Sequence, residues 1–172
     1  KRSKKGRVLN QRTEFSGPPP YGFDQLDKPI RDQWSYHAVS SVILTHSLIR
    51  SFPEVDAQRT AIKGISWGGY LTCITRGIDH RFECAVSVYG CGFLYENSAW
   101  AENELKSLSP QLTQKWADLW DPSHALSKST TPLIWITGTN DFAYWLPALK
   151  KSYQQTKNHA KLSIRVEMPH NH

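Results

Sequence analysis

The stretch KGISWGGYL, residues 63–71, places three glycines around one serine directly after an apolar run. Its core, Gly64-Ile65-Ser66-Trp67-Gly68, matches the G-x-S-x-G pattern of a serine on a tight strand-to-helix turn, and Gly69 extends it. Such a turn projects the hydroxyl away from the backbone and requires small flanking residues, because neighbouring backbone crowds against them. The N-terminus of the following helix then points at the hydroxyl. An ordinary glycine turn before a helix is the simpler alternative.

Short apolar runs alternate with helical patterns along the rest of the chain. The runs predict strands at 60–66, 82–90, 131–138 and 161–168. Helices are predicted at 29–50, 68–76 and 146–156, with at least one more inside 109–123. Strands separated by helices indicate crossover connections, so the predicted fold class is α/β with a mostly parallel sheet. Ser66 then lies between a strand and a helix, the context that its pattern requires.

The predicted organisation is an irregular basic segment at 1–29 followed by a core at 30–172. The connection at about 91–130 is too long for a plain strand-to-helix loop, so it is predicted to be an insertion over the carboxyl edge of the sheet. Four strands make a thin sheet, and the helix at 30–50 has no convincing strand before it. We therefore expect the chain to be part of a larger domain.

Composition excludes several classes of partner. The chain is 39% hydrophobic and 21% charged, as in soluble globular proteins, and no run of 18 apolar residues predicts a membrane span. Six of the 21 basic residues precede the first acidic residue, Glu14, and the other 15 balance 15 acidic ones, so no nucleic-acid partner is expected. Three cysteines lack metal-ligand spacing and are predicted to be buried apolar residues: Cys73, Cys84 and Cys91.

A serine nucleophile needs a base and an acid that orients the base, in the chain order serine, acid, histidine. Asp141 follows the third predicted strand, and His170 and His172 follow the fourth. In a parallel sheet these positions share one edge with the serine. We favour His172, because three positions past Pro169 the chain can return over the serine, and we keep His170 as the alternative. A turn or cap role for Asp141 and a surface position for either histidine are the simpler interpretations.

Other side chains have weaker signals. Several aromatic residues are expected near the mouth of the site, although about half of them could equally be plain packing residues. Three are assigned to substrate binding: Tyr89, Phe93 and Tyr144. His46, in the first predicted helix, is assigned a surface or capping role. Glu96 and Glu102 suggest a carboxylate pair, but no spacing argument places them together.

Three segments, 51–71, 120–146 and 168–172, resemble the α/β-hydrolase superfamily. They are most like the acetyl xylan esterase and cephalosporin-C deacetylase-like members and are also similar to prolyl-oligopeptidase-type peptidases. The resemblance implies a mostly parallel sheet flanked by helices, with the N-terminal strands and the second oxyanion donor upstream of residue 1. It also implies that Ser66 is the nucleophile, Asp141 the orienting acid and His172 the base, with the Trp67 N–H as one oxyanion donor. No metal or cofactor is implied.

The resulting hypothesis is a serine hydrolase that cleaves carboxylic esters, with a small-molecule or carbohydrate ester as substrate and deacetylation as the reaction. A carbohydrate esterase would be consistent with a secreted or periplasmic location. A peptidase with the same triad is the first alternative. The second is a binding protein that keeps the fold without the activity. The sequence does not determine the oligomeric state.

Overall fold

Within the described residues, four parallel strands form one sheet whose spatial order equals the chain order. The computed structural model describes Pro18 and residues 21–170, so most of the predicted segment 1–29 lies outside the described residues. The strands are β1 (Ala61–Ile65), β2 (Cys84–Val88), β3 (Leu133–Asn140) and β4 (Ala160–Pro169). The predicted parallel sheet is confirmed. Because all strands run the same way, their carboxyl ends lie at one edge.

Six α-helices lie within the described residues. They are α1 (Trp34–Ile49), α2 (Trp67–Arg76), α3 (Ala99–Glu102), α4 (Pro110–Trp120), α5 (Ser123–Leu126) and α6 (Leu146–Thr156). The first helix begins later than predicted, because Ile30–Asp32 form a separate 3-10 turn and Gln33 is extended, with φ −93° and ψ 145°. None of the described helices is both long and apolar enough to cross a bilayer.

The core lies between the sheet and these helices. Helix α2 packs against β1 and β2, and α6 packs against β3 and β4. Two large aromatic residues, Tyr70 and Trp135, are fully buried there. The Tyr70 hydroxyl donates to the Trp120 carbonyl at 2.9 Å, and Trp135 Nε1 donates to Thr156 Oγ1 at 3.1 Å. Both aromatic residues therefore bury their rings without leaving a polar atom unpaired.

Residues 91–130 carry α3, α4 and α5 and are tied together by one buried carboxylate. Asp121 is 3% exposed and accepts the backbone N–H groups of Phe93, Leu94 and Ser123, each at 2.8 Å. Burial raises the pKa of the Asp121 carboxyl, although these hydrogen bonds oppose the shift. The carboxylate holds Phe93 in a left-handed conformation with φ 60°.

A buried guanidinium joins α2 to the connection between α5 and β3. Arg76 is fully buried, and its three donor groups reach backbone carbonyls of Thr131 at 2.7 Å, Ser129 at 2.8 Å and Leu126 at 3.1 Å. Desolvation lowers the pKa of Arg76. The hydrogen bonds fix the chain just before β3, the strand that leads to Asp141.

The surface or capping role predicted for His46 is wrong. His46 is only 4% exposed and stacks on Phe82, with ring centres 3.7 Å apart. Its Nδ1 lies 2.8 Å from Asp79 Oδ2, and its Nε2 lies 2.8 Å from Thr60 Oγ1. Arg81 also donates to both oxygens of Asp79 at 2.7 Å. This polar cluster ties α1 to the segment between α2 and β2.

We expect Arg76→Met to lower the free energy of unfolding by about 3 kcal/mol, because three buried carbonyls would lose their donor. Urea denaturation followed by circular dichroism measures the change. Arg59→Met is the matched control, since Arg59 pairs with Asp56 on the surface, and it should leave the unfolding midpoint nearly unchanged. Equal losses in the two variants would contradict the anchoring role of Arg76.

Asp79 should make stability depend on pH. Burial by itself raises the pKa of its carboxyl, but hydrogen bonds from Arg81 and His46 outweigh burial and hold this pKa far below its usual value. A carboxyl with a depressed native pKa stabilises the fold above its unfolded pKa of about 3.9, and the stabilisation disappears as pH falls through the native value. We expect the stability gap between wild type and Asp79→Asn to be largest near pH 7 and to shrink below about pH 4. A gap that is independent of pH in urea titrations would contradict this assignment.

Candidate active site

Ser66 occupies a strained turn between the end of β1 and the start of α2. Its backbone has φ 57° and ψ −121°, outside the regions that L-residues normally adopt. The turn is held at both sides, because the Ser66 N–H donates to the Val88 carbonyl and the Ser66 carbonyl accepts from Tyr70, each at 3.0 Å. Strain of this kind persists only where surrounding structure enforces it.

The flanking glycines differ in how closely other atoms approach them. A Cβ on Gly64 would lie 1.9 Å from the Gly68 carbonyl oxygen, and one on Gly69 would lie 2.7 Å from Ser87 Oγ. A Cβ on Gly68 would meet nothing within 4 Å. The requirement for small residues on both sides of the turn therefore applies to Gly64 and Gly69, and the expectation for Gly68 is corrected. What matters at Gly68 is its carbonyl, which fills the space beside Gly64.

His170 reaches the serine. Its Nε2 lies 2.8 Å from Ser66 Oγ, and its Nδ1 lies 3.0 Å from both carboxylate oxygens of Asp141. The imidazole side chain is 11% exposed and the carboxylate 2% exposed. The histidine favoured from sequence, His172, lies outside the described residues, and the alternative, His170, makes these contacts.

Asp141 is oriented by its own loop. Its Oδ1 accepts the backbone N–H groups of Ala143 and Tyr144, both at 2.8 Å. A single bridge pairs Ser98 with Tyr144, and the Ala99 N–H donates to the Ala143 carbonyl at 3.1 Å. Asp141 therefore makes the hydrogen bonds of a turn residue, which the simpler interpretation of the sequence predicts, and also contacts the imidazole of His170. Ser98 and Ala99, in the predicted insertion, thus support the loop that carries Asp141.

A bulge between β3 and β4 sets the position of His170. Gly138 pairs with Arg165 and Asn140 pairs with Pro169, so one residue of β3 faces three residues of β4 between these pairs. Within the bulge Glu167 has φ 59°, and its N–H donates to a threonine hydroxyl of β3 at 2.9 Å. A Cβ on Gly138 would lie only 1.8 Å from the Met168 carbonyl oxygen. Bulges commonly redirect a strand end beside an active site, and this one needs glycine at 138.

Aromatic rings surround the imidazole. The ring centre of His170 lies 4.3 Å from Tyr89, 5.1 Å from Phe142 and 5.8 Å from Tyr144. Tyr89 has φ 38°, and burial, together with the charge of Asp141, raises the pKa of its hydroxyl. Two of the three predicted substrate-binding residues, Tyr89 and Tyr144, therefore lie beside the triad. Phe93 instead packs near Tyr95 and Lys151.

Sequence reasoning missed Phe142 and Gly138. Phe142 directly follows Asp141 and is 62% exposed, and its adjacency to the predicted acid was the available signal. Gly138 is a single glycine at the end of an apolar run, and nothing in the neighbouring sequence indicates that the Met168 carbonyl packs against it.

The arrangement has the parts needed for acyl transfer. The imidazole can remove the Ser66 proton, and the buried carboxylate can stabilise the resulting imidazolium. Trp67 is the first residue of α2, so its backbone N–H has no acceptor within the helix and lies next to the nucleophile. That N–H can stabilise an oxyanion. The geometry therefore allows these groups to act as nucleophile, base, orienting acid and one oxyanion donor.

Sequence comparison gives one match. The model of the prolyl oligopeptidase family matches residues 16–172. No curated protein shows significant sequence similarity to the chain.

Solved structures share the fold at low sequence identity. Acylaminoacyl peptidase of Pyrococcus horikoshii aligns with a TM-score of 0.67 and 21% identity over 78% of this chain and 23% of that chain. Dipeptidyl peptidase 4 of Porphyromonas gingivalis aligns with a TM-score of 0.68 and 19% identity over 80% and 20% of the two chains. Acetyl xylan esterase 1 of a Thermoanaerobacterium species aligns with a TM-score of 0.70 and 19% identity over 91% and 55%. The chain thus spans from a fifth to just over half of these proteins.

We expect Gly138→Ala to slow the labelling of Ser66 by a fluorophosphonate probe roughly tenfold or more, because the added Cβ displaces the bulge that carries His170. Gly68→Ala is the matched control. Its Cβ enters open space, so labelling should stay within about threefold of wild type while the helix gains up to about 1 kcal/mol of stability. Equal labelling rates in Gly138→Ala and wild type would contradict the role of the bulge.

Proposed function

This chain belongs to the prolyl oligopeptidase family of α/β-hydrolases, and on that basis we propose that it is a serine hydrolase using Ser66, His170 and Asp141. The observation that carries the proposal is the continuous contact from the Ser66 hydroxyl through His170 to Asp141. His170 takes the role of base that the sequence analysis gave first to His172.

The reaction proceeds by acyl transfer. His170 Nε2 removes the Ser66 proton as Oγ attacks the substrate carbonyl, and Asp141 stabilises the imidazolium. The Trp67 N–H, at the positive end of α2, stabilises the oxyanion. The intermediate collapses when His170 returns the proton to the leaving group, which leaves an acyl-serine. Water then attacks with His170 again as base, and the carboxylic acid is released as Ser66 recovers its proton.

The scissile bond is proposed to be a peptide or amide bond, because the matched family is one of peptidases. Ester cleavage with deacetylation, the expectation from sequence, is the second candidate. It is favoured by the acetyl xylan esterase of Thermoanaerobacterium, whose alignment covers 91% of this chain, against 78% and 80% for the two peptidases. Initial rates with alanine p-nitroanilide and p-nitrophenyl acetate compare the two bonds. Each kcat/KM is divided by the rate constant of the uncatalysed hydrolysis, because the aryl ester is the more reactive bond, and a larger ratio for the acetate ester would favour the second candidate.

Ser66→Ala and His170→Gln should each lower kcat for p-nitrophenyl acetate by about 10⁴-fold or more, because each removes a member of a unit that acts together. His172→Gln should keep most of the activity. This pair of histidine variants separates the two candidate bases on the same substrate. If His172→Gln loses activity and His170→Gln keeps it, the assignment of the base is wrong.

The non-catalytic alternative has a separate test. A fluorophosphonate probe labels only an activated serine, so we expect wild type to be labelled at Ser66 and Ser66→Ala to remain unlabelled. A folded wild-type protein without label would identify a binding protein that keeps the fold.

A further inference from the structure

A cavity of about 440 Å³ opens beside the nucleophile. Four aromatic residues and two carboxylates line it: Tyr21, Phe23, Trp67, Trp100, Asp24 and Glu104. Trp67 directly follows Ser66, so one wall of the cavity is the residue next to the nucleophile. The triad and its chemistry do not use Asp24, Glu104 or the aromatic side chains of this wall.

The aromatic walls are arranged around Trp67. Its ring centre lies 5.0 Å from Tyr21, 5.0 Å from Trp100 and 6.1 Å from Phe23. The faces of such rings carry negative electrostatic potential and attract cations, most strongly when the cation is partly desolvated. A cavity walled by several rings therefore favours a positively charged group over a neutral group of equal size.

The two carboxylates give the cavity a negative charge. Within the part of the chain that the structure describes, no ion pair or side-chain hydrogen bond engages the carboxylate of Asp24 or Glu104, and no lysine, arginine or histidine lines the cavity. Two acidic groups beside aromatic rings match the chemistry of an ammonium ion, which donates hydrogen bonds to carboxylates or pairs with their charge, and which also contacts aromatic rings.

The wall formed by residues 21–24 is fixed in place. The side chain of Gln25 is buried, and its Oε1 accepts the Trp34 backbone N–H at 2.8 Å. The next residue, Leu26, is 3% exposed, and Lys115 Nζ donates to its carbonyl at 2.6 Å. A preformed wall lets a ligand bind without first ordering the segment.

The opposite wall leads to the triad. The ring of Trp100 contacts Tyr144 with centres 4.7 Å apart, and Tyr144 stacks beside His170 at 5.8 Å. Trp67, next to Ser66 in the chain, and Trp100 thus connect the cavity to the rings around His170.

We propose that this cavity binds an ammonium group of the substrate and so selects substrates with a positive charge near the scissile carbonyl. Selection of substrates by this cavity rests on the proposed serine hydrolase function, but binding of the cation itself does not depend on the triad. If the aromatic residues lining the cavity served only for packing, the cavity would bind a cation and a neutral molecule equally weakly.

The test uses choline and its neutral isostere 3,3-dimethylbutan-1-ol. Tryptophan fluorescence of the Ser66→Ala protein, which carries Trp67 and Trp100, reports binding without turnover. We expect choline to give a saturable change with a Kd roughly tenfold or more below that of the isostere. Ethanolamine in the same titration distinguishes a primary ammonium from a quaternary one. Equal binding of cations and isostere, or no saturable change with any cation, would overturn the proposal.

Variants locate the effect. Asp24→Asn and Glu104→Gln keep the side-chain shape and should each weaken binding of the better cation about five- to tenfold, with melting temperature unchanged. Glu102→Gln is the matched control, because Glu102 lies in the same insertion but pairs with Lys106 away from the cavity, and it should bind as wild type. Equal weakening by all three variants would also overturn the proposal.

Turnover provides an independent comparison. In the wild-type protein, choline should inhibit p-nitrophenyl acetate hydrolysis more strongly than the isostere. If hydrolysis is absent but the fluorescence titration is selective for cations, the proposed function fails and the cation site stands. If hydrolysis is present and the titration is not selective, the cation site fails and the proposed function stands.

Discussion

The close approach of backbone at the turn after β1 is the constraint on which the site depends. Ser66 adopts a conformation with φ 57° because the Gly68 carbonyl lies where a Cβ on Gly64 would be, and because Gly69 abuts the backbone after β2. An L-residue holds such a conformation only where neighbours enforce it. On the side of β1 the conformation is enforced by steric contact between Gly64 and the Gly68 carbonyl. On the side of β2 it is enforced by the hydrogen bond from the Ser66 N–H to Val88. The result is a half-buried hydroxyl at the start of a helix.

His170 reaches that hydroxyl because a second pair of backbone segments, in β3 and β4, also comes very close together. At Gly138 the β4 backbone comes so near that only glycine fits, and the extra residues of the bulge bring His170 over the serine. Asp141 follows the same strand as Gly138, so one strand positions both the acid and, through the bulge, the base. Both halves of the site thus depend on glycines that admit neighbouring backbone.

Buried polar groups stabilise the connections that support these strands. Arg76 binds the carbonyls before β3, Asp121 binds the amides of residues 93, 94 and 123, and the pair of His46 and Asp79 joins α1 to the segment between α2 and β2. Each group has its partners within the described residues, which offsets the desolvation of its charge. The insertion gains a fixed position from Asp121, and it contributes Trp100 and Glu104 to the cavity beside Trp67.

The sequence by itself determined the order of strands and helices along the chain, the turn at Ser66 and the place of Asp141 just past the third strand, because periodicity and glycine spacing report local backbone conformation. The tertiary structure decided the rest. It alone showed that Gly68 has open space beside it, that His46 is buried, and that His170 contacts Ser66. The last two depend on atoms far away in the chain: a carboxylate at Asp79 and the ring of Phe82 for His46, and a carbonyl of β4 at Gly138 for His170. Local patterns carry no information about such long-range contacts, which arise only when the strands pair and the helices pack.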